Sequence, residues 1–427
     1  MSKLISINAL FLIKGKNILG VNPPVTDFAF FDLWSKPMGF LYLLEKMREL
    51  GNHAEFIDCI HEGAVGAKTF GREKIGSVEI SKPSVYAGIR RNYHRFGMSE
   101  EAFRRRLREV NKPDCVFLTS VMTYWYPGVR WAINVIKSEL PNVPIYLGGI
   151  YARLCPEHAG TLGADMLATE NWMPDVPLPA MDLYDRLPYG VTMTSFGCPL
   201  RCKYCASHVL WPEYRRRPTA EVLEEIGFQA RLGARDFAFY DDALLLEKEK
   251  YFYPLCEELT RRYGEALSFH TPNGLHVRQI DEKCASVLRK TNFRTIRLSL
   301  ESIDPRIAGD SSGKVARGEY AAAVKNLRTA GYTRNDCETY ILLGLPGQSV
   351  TSVKDTIRFV QDNGGKPKLA EFSPIPGTPS FEEAAVVMPE LRAEPLLQNN
   401  SVYSSWLSHE ISPETLQELK DLARQQI

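Results

Sequence analysis

No stretch of this 427-residue chain approaches the roughly 20 consecutive apolar residues that a membrane-spanning helix needs. An excess of one charge is missing too: 52 basic residues face 51 acidic ones, leaving a net charge of +1. That balance argues against large nucleic-acid contact and against an anionic membrane as a partner. Cysteine is sparse, and Cys59, Cys115, Cys155, Cys256, Cys284 and Cys337 are scattered, so the chain has no disulfide framework. The opening "MSKLISINALFLIKGKNILG" has a short apolar run, but Ser6 and Asn8 interrupt it and no small-residue cleavage site follows. A buried first strand fits better than a leader, and the expectation is a soluble, cytoplasmic protein.

Apolar residues make up 44% of the chain and charged residues 24%, a globular mix, and the length calls for two or three structural units. Residues 1–175 alternate strand and helix signals. Leu4–Ile13 reads as a strand. Met38–Leu50 has helical spacing at Phe40, Leu41, Leu44 and Met47 and stops at Gly51. Ala54–Asp58 and Asp114–Ser120 read as strands, Gly128–Leu140 as a helix, and "PIYLGG" and "GADMLATE" as further strands. Apolar strands separated by helices predict a doubly wound, Rossmann-like parallel sheet. An insertion at about 64–112 carries Arg90, Arg91, Arg95, Arg104, Arg105, Arg106 and Arg108. It reads as a solvated loop with a charged helix, or as a cover over a phosphate-bearing ligand.

A proline-rich linker spans 176–190. Six strands follow, at Val191–Ser195, Asp236–Tyr240, Leu267–Thr271, Thr295–Leu300, Thr339–Leu343 and Leu369–Phe372, with helical stretches between them. Six units are fewer than the eight of a closed barrel, so 191–379 is expected to form an open, partial (β/α)6 barrel. Residues 380–427 read as a short, mostly helical C-terminal region, with Ser412 capping a helix that begins at Pro413.

The remaining cysteines, Cys198, Cys202 and Cys205, lie in "SFGCPLRCKYCAS" directly after the first barrel strand. Thiolates suit zinc and iron–sulfur clusters alike. Zinc would need His208 as a fourth ligand, because no second ligand pair follows in the sequence. A [4Fe–4S] cluster held by three thiolates keeps one iron open for a small chelating ligand.

At this point the chain resembles the radical S-adenosylmethionine (radical SAM) enzymes, whose signature "CPLRCKYC" matches with Tyr204 before the last cysteine. The resemblance covers about 191–379. It implies that Cys198, Cys202 and Cys205 hold the cluster, that SAM chelates the open iron, and that reductive cleavage yields a 5′-deoxyadenosyl radical. It further implies SAM contacts from Tyr204, from Asp241 and Asp242 of "YDDALL", from Asn273 of "TPNGL", and from Ser299 and Glu301 of "LSLES". The glycine-rich "LLGLPGQS" and the segment "SPIPGTP" fit the family as well. An electron donor such as flavodoxin or ferredoxin is implied with them.

The first 175 residues resemble the cobalamin-binding domain that precedes many radical SAM domains. That resemblance implies that Ser120, Gly148 and Gly149 approach the cofactor's nucleotide tail. "DCIHEG" departs from the Asp-x-His-x-x-Gly cobalamin motif, so His61 is read as a loop residue. An aromatic among Tyr124, Trp125 and Tyr126 would cover the cobalt face, or these rings pack as ordinary loop residues. The resulting expectation is a cobalamin-dependent radical SAM enzyme, with methylation of an unactivated carbon as one outcome. A radical SAM enzyme without cobalamin (rearrangement, sulfur insertion or RNA modification) and a zinc-stabilised, non-catalytic binding module are the alternatives. The substrate, a small molecule or a peptide, is not named by any motif.

Overall fold

The computed structural model describes residues 2–211, 213–310, 317–402 and 411–425. The chain divides into two compact units, Met1–Pro188 with Glu390–Gln398, and Tyr189–Pro389 with Asn399–Ile427.

In the first unit a six-stranded sheet contains β1 (Lys3–Leu4), β2 (Asn17–Asn22), β3 (His53–Asp58), β4 (Cys115–Leu118), β5 (Ile145–Leu147) and β6 (Met166–Leu167). Their order is β1-β6-β5-β4-β2-β3, and every pairing is parallel. The order reverses between β2 and β4, the arrangement of a doubly wound sheet. Helix α1 (Met38–Glu49) buries Phe40, Leu41, Leu44 and Met47 as its spacing predicts, and Gly51 follows it at φ +88°.

The first strand is a correction. Leu4–Ile13 is not a strand; only Leu4 belongs to β1 (Lys3–Leu4), and a helical turn, Ile7–Leu10, follows. Ser6 causes the switch, because its hydroxyl accepts the Ala9 N–H at 3.2 Å and caps the turn. The long strand is β2, hidden in "NILGVN". Gly20 belongs there because a Cβ would fall 2.8 Å from Leu44 of α1, so the helix closes onto the sheet through the missing side chain.

The insertion is not a plain loop. It forms two small antiparallel sheets, Ala64–Ala67 with Glu73–Ile75 and Ser77–Glu79 with His94–Phe96, the latter pairing also with Val25–Asp27. Its charged helix is α2 (Glu100–Glu109), capped by Ser99. Arg104 and Arg108 each reach Glu139 at 2.8 Å, on α3 (Tyr126–Glu139), and Arg106 reaches Glu62 at 2.9 Å. Glu390–Gln398 belongs with this unit, where Tyr86 donates to the Leu396 carbonyl at 2.9 Å and Tyr126 to Glu394 at 3.2 Å.

The second unit is built on six parallel strands in sequential order: β7 (Gly190–Thr192), β8 (Asp236–Phe239), β9 (Ser268–His270), β10 (Phe293–Glu301), β11 (Cys337–Leu343) and β12 (Lys366–Glu371). The alternating helices are α4 (Thr219–Arg231), α5 (Phe252–Tyr263), α6 (Glu282–Lys290), α7 (Arg317–Thr329) and α8 (Val350–Asp362). This is the open (β/α)6 barrel arrangement. Among the described residues, α9 (Pro379–Val387) and α10 (Pro413–Arg424) come after the last strand. Of the expected C-terminal region, residues 403–410 and 426–427 lie outside the described residues. Among the described residues no helix is long and apolar enough to cross a membrane.

Candidate functional site

Strands β7 to β12 all run the same way, so the residues that follow each of them collect at one edge of the sheet. The cysteine loop follows β7. Gly197 starts it at φ +76°, and a Cβ there would fall 2.9 Å from the Glu213 carbonyl, which requires glycine. All three cysteines are reduced thiols. Cys202 is buried; Cys198 and Cys205 are half-buried. The Cys205 N–H donates to the Cys202 carbonyl at 3.1 Å, closing the turn between them. The Ser207 N–H donates to Cys205 Sγ at 3.4 Å, the kind of bond that stabilises a thiolate. Tyr204 lies half-buried on the same turn. The loop is anchored from the far end of the unit, where the Ser380 N–H of α9 donates to the Lys203 carbonyl at 3.1 Å.

Among the described residues no group of three or more His, Cys, Asp or Glu side chains is already arranged to hold a metal ion. The donor set nevertheless fits an iron–sulfur cluster: three thiols within eight residues, one short of four, on a loop at the C-terminal ends of the strands. His208, three residues beyond Cys205, has a buried Nδ1 with no hydrogen-bond partner.

Asp241 and Asp242 follow β8 and diverge at once. Asp241 is buried and already saturated. Its carboxylate accepts the Thr194 N–H at 2.9 Å, the Thr194 hydroxyl at 2.5 Å and the Ser195 hydroxyl at 2.9 Å. Burial pushes its pKa up, against the pull of those hydrogen bonds and of Arg216. Arg216 donates to the Thr194 hydroxyl at 2.7 Å and to the Leu246 carbonyl at 2.7 Å, so an Arg216–Thr194–Asp241 relay ties the cysteine loop to β8. Asp242 is exposed and accepts the Ser207 hydroxyl at 2.6 Å. Ser207 therefore links Asp242 to Cys205.

Asn273, after β9, donates through Nδ2 to the Tyr240 carbonyl at 3.0 Å and braces the end of β8. Ser299 is buried near the end of β10, and a Cβ on Gly274 would fall 2.1 Å from its hydroxyl. Glu301 does not simply share the face of Ser299. The ladder to β11 shifts register between them, and Glu301 stands at φ +66° with the Ser302 N–H closing onto the Leu300 carbonyl at 2.8 Å. That is a γ-turn centred on a buried glutamate, a strained conformation of the kind that collects at functional sites. After β11, Gln348 holds the glycine-rich loop. Its carbonyl accepts from Gly344 N–H at 2.8 Å and its amide donates to Leu342 at 2.9 Å. Sequence reasoning missed Thr194, Ser195, Ser207, Arg216 and Gln348. Only their place just after strands, or beside the cysteines, could have marked them.

In the first unit Ser120 follows β4, and Gly148 and Gly149 follow β5. They touch one another. The Ser120 hydroxyl donates to the Gly148 carbonyl at 2.6 Å and accepts the Ala152 N–H at 3.4 Å. Nearby, a Cβ on Gly128 would fall 2.0 Å from the Pro24 carbonyl, so the segment after β2 crosses directly onto the start of α3. Trp125 donates its indole N–H to Asp27 at 2.8 Å and Tyr126 stacks on Tyr151, while Tyr124 is buried. His61 lies in the turn that follows β3, a loop residue as read from the sequence. It is buried, with Nδ1 2.8 Å from Glu73 and Nε2 3.1 Å from the Ser35 carbonyl, so both ring nitrogens are engaged. The same pocket of charge holds Glu73 with Arg186, and Tyr184 donating to Asp58 at 2.7 Å. Lys36 lies 3.9 Å over the Tyr184 ring, and burial lowers its pKa to about 8 against the pull of Asp58, Asp32 and Glu73.

Residues 192–360 match the family model of the radical SAM superfamily. An uncharacterized methyltransferase of Pyrococcus horikoshii is 26% identical over 226 residues, 49% of this chain and 46% of that protein. An anaerobic magnesium-protoporphyrin IX monomethyl ester cyclase of Cereibacter sphaeroides is 27% identical over 211 residues, 47% of this chain and 33% of that protein. The chain thus spans less than half the length of these curated relatives. Among solved structures, the radical S-adenosylmethionine methyltransferase TsrM from Kitasatospora setae, with tryptophan and a SAM analog bound, superposes with a TM-score of 0.65. That match is 15% identical and covers 95% of this chain and 88% of TsrM. The cobalamin-dependent S-adenosylmethionine radical enzyme OxsB matches with a TM-score of 0.56 at 12% identity, covering 88% of this chain and 56% of OxsB. At such identities these likenesses establish the fold.

Proposed function

We propose, from a chain that carries a radical SAM domain over residues 192–360, that this protein is a cobalamin-dependent radical SAM enzyme that methylates an unactivated carbon. When bound, the cluster with SAM supplies a 5′-deoxyadenosyl radical, and cobalamin supplies a methyl group. Cys198, Cys202 and Cys205 would hold the cluster as thiolates, and the Ser207 N–H would offset the charge on Cys205. Asp242, exposed beside the loop and steered by the Ser207 hydroxyl, is the better placed of the two aspartates to accept from an ammonium group. Asp241 is a positioning residue, since its oxygens already hold Thr194 and Ser195 at the root of the loop. Ser299 and the strained Glu301 would present polar atoms at the end of β10. Ser120, Gly148 and Gly149 would carry the corrinoid tail.

The observation that carries this reading is the three-thiol loop at the strand edge where Asp242, Asn273, Ser299 and Glu301 also end. The similar proteins support it: an uncharacterized methyltransferase, the radical SAM methyltransferase TsrM and the cobalamin-dependent radical enzyme OxsB. A zinc-stabilised module finds no support in the family match. Radical chemistry without cobalamin remains a second reading, favoured by one observation: the Ser120 hydroxyl is spent on Gly148 and Ala152. Anaerobic reconstitution with iron, sulfide and hydroxocobalamin, followed by absorbance and by assay of 5′-deoxyadenosine, tests both. A bound corrinoid with nucleoside formation is the expected result. Nucleoside without corrinoid establishes the second reading, and neither product defeats both.

A further inference from the structure

The segment Glu390–Gln398 follows α9 in sequence yet packs in the first unit, where Pro395, Leu396, Leu397 and Gln398 are buried. Its polar contacts reach the insertion, the start of α3 and the stretch after β5. The Tyr86 hydroxyl donates to the Leu396 carbonyl at 2.9 Å, and the Tyr126 hydroxyl donates to Glu394 Oε1 at 3.2 Å. Gln398 Nε2 donates to Cys155 Sγ at 4.0 Å. The segment also holds its own shape. Glu394 Oε1 accepts the Leu396 N–H at 2.9 Å, and Gln398 donates to the Leu391 carbonyl at 3.0 Å.

These contacts lead to the ligand edge through a continuous chain of side chains. Tyr126 stacks on Tyr151 with ring centroids 6.1 Å apart and meets the His158 ring edge-on at 4.4 Å. The Tyr151 hydroxyl lies 2.5 Å from His158 Nδ1. Tyr151 belongs to the short helix Ile150–Leu154, which starts directly after Gly149, and the Ile150 N–H donates to the Ser120 carbonyl at 2.8 Å. Glu394 thus fixes Tyr126, Tyr126 and His158 fix Tyr151, and Tyr151 fixes the helix that abuts Ser120. Burial and Glu394 push the Tyr126 pKa up, so its hydroxyl keeps its proton and stays a donor. Strand pairing sets where β4 and β5 end, but the loops beyond them need contacts of their own to hold one spacing.

We infer that Glu390–Gln398 is a strap that positions the ligand edge of the first unit, with Glu394 as its anchoring residue. It holds the loops after β4 and β5 at the spacing in which Ser120, Gly148 and Gly149 receive a corrinoid. The inference rests on the cobalamin reading of that edge.

The test titrates the full-length, anaerobically reconstituted protein with hydroxocobalamin and follows the absorbance of the bound corrinoid. Glu394→Ala removes the acceptor, weakens the corrinoid about tenfold and moves its bound spectrum toward that of the free cofactor. Glu394→Gln keeps an oxygen for Tyr126 and Leu396, and restores affinity and spectrum to within about twofold of the wild type. Tyr126→Phe loses the same bond while keeping the packed ring, so it weakens the corrinoid by itself, even where Glu394→Ala does not fold. Combined with Glu394→Ala it adds nothing. Denaturant unfolding without corrinoid measures any loss of stability separately. Wild-type affinity and spectrum in Tyr126→Phe or in folded Glu394→Ala, or a Gln variant as weak as the Ala variant, overturns the strap and leaves the cobalamin reading standing. A wild-type protein that forms 5′-deoxyadenosine but binds no corrinoid defeats the cobalamin reading and the strap with it.

Discussion

Ser120 and Gly149 meet backbone to backbone. A Cβ at position 149 would fall 2.3 Å from the Ser120 carbonyl oxygen, and the Ile150 N–H donates to that same oxygen at 2.8 Å. The glycine is thus needed by the protein itself, whatever ligand the strand edge receives.

From this contact, Gly149→Ala should destabilise the first unit. It meets both a clash and a φ of +93°, a strain on the order of 2 kcal/mol or more. Gly148→Ala should be tolerated, because its Cβ meets nothing nearer than Ala168 at 3.7 Å. Denaturant unfolding separates the two. Corrinoid titration of the stable Gly148→Ala protein then reads cofactor binding without a folding defect.

Cys202→Ala should remove a thiolate from the cluster loop. Iron content should fall well below about four per chain, and 5′-deoxyadenosine formation should drop to background. Iron analysis and a nucleoside assay check this; full nucleoside formation by the variant would refute the placement of the cluster.

Ser207→Ala and Asp242→Ala should act through one another. Their shared hydrogen bond at 2.6 Å predicts a coupling of about 1 kcal/mol in SAM affinity when both changes are combined. Additive losses in a double-mutant cycle would show that Asp242 meets SAM without help from Ser207, or not at all.

Lys36 makes stability depend on pH. Its pKa is lowered from 10.5 to about 8 by burial, so between these values the unfolded chain binds more protons than the folded one. Stability should therefore rise with pH across that window. Lys36→Met should lose this upward slope relative to the wild type, as measured by denaturant unfolding at several pH values.

Much of the second unit was legible in the sequence because its strands are short apolar runs that alternate with periodic helices. Helix α6 (Glu282–Lys290), for example, buries Cys284, Ala285 and Leu288 at helical spacing. The first strand was not legible, because a single serine at position 6 turns an apolar run into a capped helical turn. β2 was hidden because Gly20 at its centre and Asn17 and Asn22 at its ends carry no strand signature, and burial against Leu44 gives the strand its place. The burial of His61 within its turn was not legible, because Glu73, twelve positions on, reaches it only through the folding of the insertion.

The sequence alone determines the donor chemistry: three thiols at a spacing that leaves a cluster one ligand short, ahead of alternating strands and helices. Spacing within one loop is a local property, so it survives without knowledge of the fold. Tertiary structure alone decides which polar groups are already committed. Asp241 and Asp242 are neighbours in the chain, yet one is buried under Thr194 and Ser195 and the other lies exposed beside Ser207. The row that sets Arg297, Glu338 and Lys366 side by side on β10, β11 and β12 likewise exists only through strand register. Register is set by packing between segments dozens of residues apart, and no short stretch of sequence contains it.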